Sequence, residues 1–373
     1  MPECMKPSRL ELRLEAEISG AHSVPEADCK RAELAAYRVR LGRVDEVGAT
    51  LKELHQRYDA RPNVAISAWL NLVEGLARYF SDMDPAARDK VLRAHALSSA
   101  AGLTPMRALS AAWLAHFDYL QGDVDSMALH VSEALKLSVE THHGARSRAS
   151  LVVAQSYHLA GNLDTALPWY VKARDHALED GDDATISALM HNMAWLRSHE
   201  LRKRFFLELA IDSSTEHALI SAESTRNFNI LIGSVSLNSL IPVLRAQILA
   251  VIGREAEALE IFEQHLNAAL NEGMGRLQAD LVADMAWCRL KSGQIDRARE
   301  DAFAAVACID PAGHFDDRAL AHGRLAQVFN ILEDFDETAR HRQMALEAWA
   351  GHALLQRRIV DSLGNIFSDR LTG

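Results

Sequence analysis

A short local pattern returns along this chain at intervals close to 40 residues, and such a period points to stacked repeats of one small unit. Each copy sets a small or turn-forming residue, an apolar residue two places on, an acidic residue at three and a small or apolar residue at five. The copies are Gly42/Val44/Asp45/Val47, Ser81/Met83/Asp84/Ala86, Gly122/Val124/Asp125/Met127, Gly161/Leu163/Asp164/Ala166, Gly293/Ile295/Asp296/Ala298 and Glu333/Phe335/Asp336/Thr338. Gly253 with Ala258 is a weaker copy, because Glu255 and Ala256 replace the apolar and acidic members. The intervals are 39, 41 and 39 from residue 42 to 161, and 40 twice from 253 to 333. The gap of 92 between 161 and 253 holds two units, one of them longer.

The pattern reads as a helix, a turn and a second helix. Ser147 to Ala160 before the turn and Leu163 to Glu179 after it are both helical in spacing. Glycine closes the first helix in the left-handed conformation, and the aspartate just after it caps the second or favours its dipole. Alanines such as Ala154, Ala166 and Ala173 allow close helix approach, and Tyr157 and Tyr170 fill the space beside them. One hairpin cannot bury both apolar faces, so neighbours must stack, with contacts expected only between adjoining units. Period-2 alternation is hardly sustained anywhere, and the runs Ile230 to Ile232 and Leu240 to Leu244 sit inside helix-spaced patterns, so the chain is expected to be all-α. Units fall at 28–66, 67–107, 108–146, 147–184, 185–226, 227–278, 279–318 and 319–350. Residues 1–27 form an N-terminal segment with one helix in its first 20, and 351–373 a single amphipathic capping helix striped by Leu354, Leu355, Ile359 and Leu363.

Of the 373 residues 40 are Lys or Arg and 51 Asp or Glu, a net charge of −11, which disfavours a nucleic-acid binder that would need clustered basic residues. Cys4, Cys29, Cys288 and Cys308 form no CxxC and are expected to be reduced, mostly buried thiols. The first 20 residues lack the apolar run of a signal peptide and no stretch is long and apolar enough for a membrane span, so a cytoplasmic location is expected, with no membrane partner.

No catalytic or metal chemistry is written in the motifs. His199-Glu200-Leu201-Arg202-Lys203 begins like the zinc-protease pattern HExxH, but Lys203 stands where the second ligand belongs. Gly273-Met274-Gly275 begins like a dinucleotide fingerprint, but Gln278 replaces the third glycine and no strand precedes it, leaving a turn between units. His142-His143 falls at a unit boundary, where a solvent-exposed pair is expected. Arg202-Lys203-Arg204 and Arg357-Arg358 suit helix-end charges. No Ser or Cys sits in a nucleophile elbow. The chain is therefore expected to be no enzyme, and to carry no cofactor and no metal.

The repeat resembles the tetratricopeptide family, whose unit of about 34 residues carries a turn glycine with this surrounding pattern. Gly161 matches with Leu163, Asp164, Ala166, Ala154 and Tyr157, and Tyr170 and Ala173 extend the match; Gly293 matches with Ile295, Asp296, Ala298 and Ala286, although Arg289 replaces an aromatic. The likeness covers most of residues 28–350, and the longer period is similar to bacterial regulators of the maltose-activator type. It implies a right-handed α-solenoid of about eight hairpins with a C-terminal capping helix. In that family the first helix of each hairpin lines an inner groove, and its inward positions correspond here to Asn71, Arg78, His116, Tyr119, Arg148, Gln155, His158, Gln247, Asp280, Trp287, Gln327 and Asn330. The expectation that follows is a non-enzymatic scaffold that takes a peptide or protein partner in that groove. The alternative is a sensory or regulatory input module, because Ser368-Asp369-Arg370-Leu371-Thr372-Gly373 resembles the opening segment of diguanylate cyclase domains.

Overall fold

Side-chain caps and left-handed turn residues write the helix boundaries. Ser8 Oγ accepts from the Glu11 amide to start α1 (Arg9–Ser19), and Ser23 with Pro25 behind it starts α2 (Val24–Arg40). Asn63 Oδ1 accepts from the amides of Ala65 and Ile66 to start α4 (Val64–Asp82), after α3 (Gly48–Tyr58). α5 (Ala87–Ala100) and α6 (Thr104–Gln121) follow; Gly122, with φ +69°, closes α6, and Asp123 caps α7 (Val124–Leu137). The pattern repeats in α8 (His143–Leu159), Gly161 and the Asn162 cap of α9 (Leu163–Asp180). Then come α10 (Asp183–Phe206), α11 (Ser214–Ile232), α12 (Leu240–Val251), α13 (Glu255–Asn271), α14 (Gln278–Lys291), α15 (Ile295–Cys308), α16 (Phe315–Ile331) and α17 (Phe335–Ser368). This computed structural model describes residues 7–209, 214–236 and 238–368. Among them every regular element is a helix, and no helix is long and apolar enough to cross a membrane.

The helices pack in neighbouring pairs: α4 with α5, α6 with α7, α8 with α9, α12 with α13, and α14 with α15. First helices of successive pairs also touch, α2 with α4, α4 with α6, α6 with α8, α12 with α14 and α14 with α16. The chain divides into two compact units. The first comprises residues 1–189, 228–236 and 357–373, and the second 190–227 and 237–356. In the first, Val39, Ile66, Leu72, Leu76, Val91 and Leu114 build one core, and Leu10, Leu14, Tyr37 and Leu41 a smaller one. In the second, Leu201, Ala218, Ala222, Ile248 and Val251 form a cluster.

Several expectations need correction. Ser81 lies inside α4, and the left-handed residue is Met83, because nothing before it breaks the apolar helix period. The segment from 351 is no separate helix but the continuation of α17, since no glycine turn or proline interrupts it; Ile359 and Leu363 are buried, while Leu354 is exposed. The longer unit between 161 and 253 is α10 with α11, and its turn residue is Glu208 rather than a glycine. Contacts are not confined to adjoining hairpins. Within the first unit Arg13 pairs with Asp180 at 2.9 Å, Arg40 with Asp182 at 2.6 Å and Arg358 with Asp125 at 3.2 Å, and Trp169 packs on Phe367 with ring centres 4.7 Å apart. Cys29 is half-buried, Cys288 buried and Cys308 exposed, so burial is not general among the thiols; Cys4 lies outside the described residues. His142 and His143 are half-buried, His143 facing His176 with the two Nδ1 atoms 3.1 Å apart.

Candidate functional site

In the first unit α8 decides what happens to its polar residues. It is buried on every side from Ser147 through Tyr157, so Arg148 and Gln155, seven residues apart on one stripe, have no solvent face to choose. Arg148 is 4% exposed, and its guanidinium lies over the Trp113 ring at 4.0 Å. Stacking of this kind leaves the planar edge of donors free. Its Nε has no hydrogen-bond partner among the described residues. Asp182, the carboxylate that acts on it, is already engaged: Arg40 donates to Oδ2 at 2.6 Å, and the Thr185 amide and hydroxyl donate at 3.0 and 2.8 Å. Burial pulls the Arg148 pKa down to about 10, Arg40 adding to the effect against the opposing pull of Asp182 and Tyr79. His116 on α6 completes the cluster, its Nε2 3.1 Å from the Tyr79 hydroxyl and its ring edge-on to Trp113 and Tyr79. Burial, and after it Arg148, hold His116 well below the ordinary imidazole value, so it is neutral at pH 7.

The inner helices of the second unit carry a different chemistry. Arg202 on α10 donates to both Asp280 oxygens and pairs with Asp284 at 2.7 Å. Gln247 donates to Asp280 at 3.2 Å and to Asp284 at 3.0 Å. Arg324 donates to Asp284 at 2.7 Å and to Gln327 at 2.9 Å, and lies over the Trp287 ring at 5.0 Å. Two cations thus meet two carboxylates in a dry setting. Burial opposes the charge on Arg202, but Asp280 and Asp284 outweigh it and hold its pKa above the ordinary value. Arg202 is therefore no helix-end charge on the surface, as its place in the Arg-Lys-Arg run suggested: its side of α10 faces α12 and α14 residues instead of water.

Of the twelve inner-face positions taken from the repeat pattern, the structure gathers His116 with Arg148, Gln247 with Asp280 beside Arg202, and Trp287 with Gln327 beside Arg324. Gln155 is buried on the Arg148 stripe. Asn71 is half-buried and donates to the Ser67 carbonyl at 2.8 Å, and His158 faces the Tyr170 hydroxyl at 3.1 Å. Tyr119 is half-buried; Arg78 and Asn330 are exposed, Arg78 pairing with Asp84 at 3.3 Å. Trp113, Asp284 and Arg324 escaped the pattern, although helical spacing carries a signal for each: Trp113 stands three before His116, Asp284 four after Asp280, and Arg324 three before Gln327. Arg40, Asp182 and Arg202 join from distant sequence and leave no such trace. Among the described residues, one set of side chains could hold a metal ion, His199 with Asp316 and Asp317.

The described residues form neighbouring pairs of helices, several of which bury charged side chains. No protein-family model matches the chain, and no curated protein matches it.

Proposed function

We propose that the chain is a non-enzymatic binding protein, a right-handed tetratricopeptide-like solenoid of about eight hairpins that takes a peptide or protein partner on its inner helices. The observation that carries this reading is Arg148, a buried cation stacked on Trp113 whose Nε has no hydrogen-bond partner among the described residues and whose nearby carboxylate, Asp182, is engaged by Arg40. An uncompensated buried charge costs several kcal/mol by order of magnitude, about 3–5 kcal/mol when a buried pair is broken. A partner that supplies a negative group recovers that cost. The second unit supports the same division of labour, because its charges satisfy one another and serve as a scaffold. The test is a peptide library screened by fluorescence anisotropy against the full chain. Acid-containing peptides are expected to bind, and Arg148→Met is expected to weaken them about thirtyfold or more; binders indifferent to that substitution and to their own charge sink the reading.

A second reading, a sensory or regulatory input module, is favoured by α17, which runs unbroken from Phe335 to Ser368. It leads into the cyclase-like residues 369–373, which lie outside the described residues. A gene that continues past Gly373 into a cyclase body supports it, and a stop codon there removes it.

A further inference from the structure

Three side chains that no spacing rule connects meet in the second unit. His199 on α10 and Asp316 and Asp317 in the first turn of α16 each offer a ligand atom, all within 4.8 Å of one another. Acidic residues in a first turn are ordinary by themselves, because they favour the helix dipole. The weight falls on His199, which is 7% exposed. Its Nδ1 lies 3.2 Å from the Trp195 carbonyl oxygen. A carbonyl only accepts, so Nδ1 donates to it and Nε2 is the ring nitrogen left to face the carboxylates. That Nε2 has no hydrogen-bond partner among the described residues and stands 3.5 Å from Asp317 Oδ1. A ring nitrogen and a carboxylate oxygen thus face each other at a spacing that a shared metal ion would close.

We propose that His199, Asp316 and Asp317 bind one divalent transition-metal ion, with Zn2+ the ion that suits the donors best. One imidazole nitrogen with carboxylate oxygens is a set of intermediate softness; Ca2+ and Mg2+ take all-oxygen shells, and Cu+ calls for thiolate or thioether donors, of which the group has none. Bonds of about 2.0–2.2 Å require donors about 3.5 Å apart, so the group closes by about 1 Å on loading. Asp316 is half-buried and has room to turn. The outer contacts have the form that metal sites use: the Trp195 carbonyl orients the ring, and Arg276 holds Asp317 by Oδ2, leaving Oδ1 for the ion. Zn2+ uptake here is independent of where a peptide partner binds.

The experiment uses the full chain, stripped with EDTA and titrated with ZnCl2 by calorimetry, with thermal melting alongside and MgCl2 for comparison. Expected is saturable uptake of a single Zn2+ that raises the melting temperature and is reversed by EDTA. Loading with Co2+ is expected to give a spectrum without a thiolate charge-transfer band, which separates this site from the cysteines. Asp316→Asn, at a partly exposed position, is expected to leave the metal-free melting temperature near wild type and to weaken uptake about tenfold or more. His199→Gln is expected to do the same, and Asp316→Asn decides alone should that variant not fold. Absence of saturable uptake, a thiolate band, tighter binding of Mg2+ than of Zn2+, or uptake unchanged in Asp316→Asn overturns the proposal.

Discussion

Arg148 and Arg202 carry the same side chain into similarly dry surroundings, and their neighbours give them opposite roles. Arg202 pairs with Asp280 and Asp284 and Arg324 with Asp284, so removing Asp284 leaves buried positive charge behind. Asp284→Ala is expected to lower the unfolding free energy by about 3–5 kcal/mol, read as a fall in the urea midpoint. Arg148 has Trp113, and its nearby carboxylate Asp182 is taken by Arg40. Arg148→Met keeps the length, gives up about 1 kcal/mol of cation–π attraction and removes the larger desolvation cost. The chain without its partner is therefore expected to gain about 1–2 kcal/mol, and a lower urea midpoint for this variant would show that a counter-ion is already present. The repeat spacing singled out both Arg148 and Asp280, and both are buried. What distinguishes them was not, because the groups that decide it, Asp182 and Arg202, stand 34 residues beyond one and 78 before the other.

At the scale of the element, the turns were the most legible part of the chain, because a left-handed residue between two helices is a local requirement. Gly42 and Gly293 show how far that goes. Both have φ near +80°, so a side chain at either is strained. A Cβ on Gly293 would meet nothing within 4 Å, whereas one on Gly42 would stand 2.6 Å from the Ser236 amide nitrogen and 2.9 Å from Val235 Cγ2. Gly293→Ala is expected to cost about 1–2 kcal/mol for the backbone alone, and Gly42→Ala about 1–3 kcal/mol more for the clash, measured as urea midpoints at constant slope. Equal losses would mean that the 235–236 segment moves aside freely. Ser81 marks the limit of the same pattern: the marker looked right, yet α4 continues to Asp82 since its apolar face is still being buried.

For the molecule as a whole, burial of histidines couples folding to acidity. His322 and His191 are pushed down to about 4, by burial first and, for His322, then by His341, while His116 lies well below its ordinary value. The unfolded chain takes up protons near pH 6.5 that the folded chain refuses, so it binds more protons over that window and stability falls as the pH drops from about 6.5 to about 4. Asp182 adds to this at still lower pH: its folded pKa is depressed because Arg40 outweighs burial, so its contribution is present above the ordinary carboxylate value and is lost as the pH falls through the depressed one. Denaturant unfolding at pH 7.5, 6 and 5 is expected to show a progressive fall amounting to a few kcal/mol by pH 4, since each tenfold loss of proton affinity at a buried histidine is worth about 1.4 kcal/mol. A flat profile would mean these rings are protonated in the folded chain. The amino-acid order by itself determined that the chain is helical and that its helices come in pairs, because caps, turn residues and a 3.6-residue apolar period act over a few neighbours. Only the tertiary structure decided which buried charges are answered by direct ion pairs among the described residues, and that His199 meets Asp316 and Asp317, because electrostatics depends on distance in space and burial rather than on spacing along the chain.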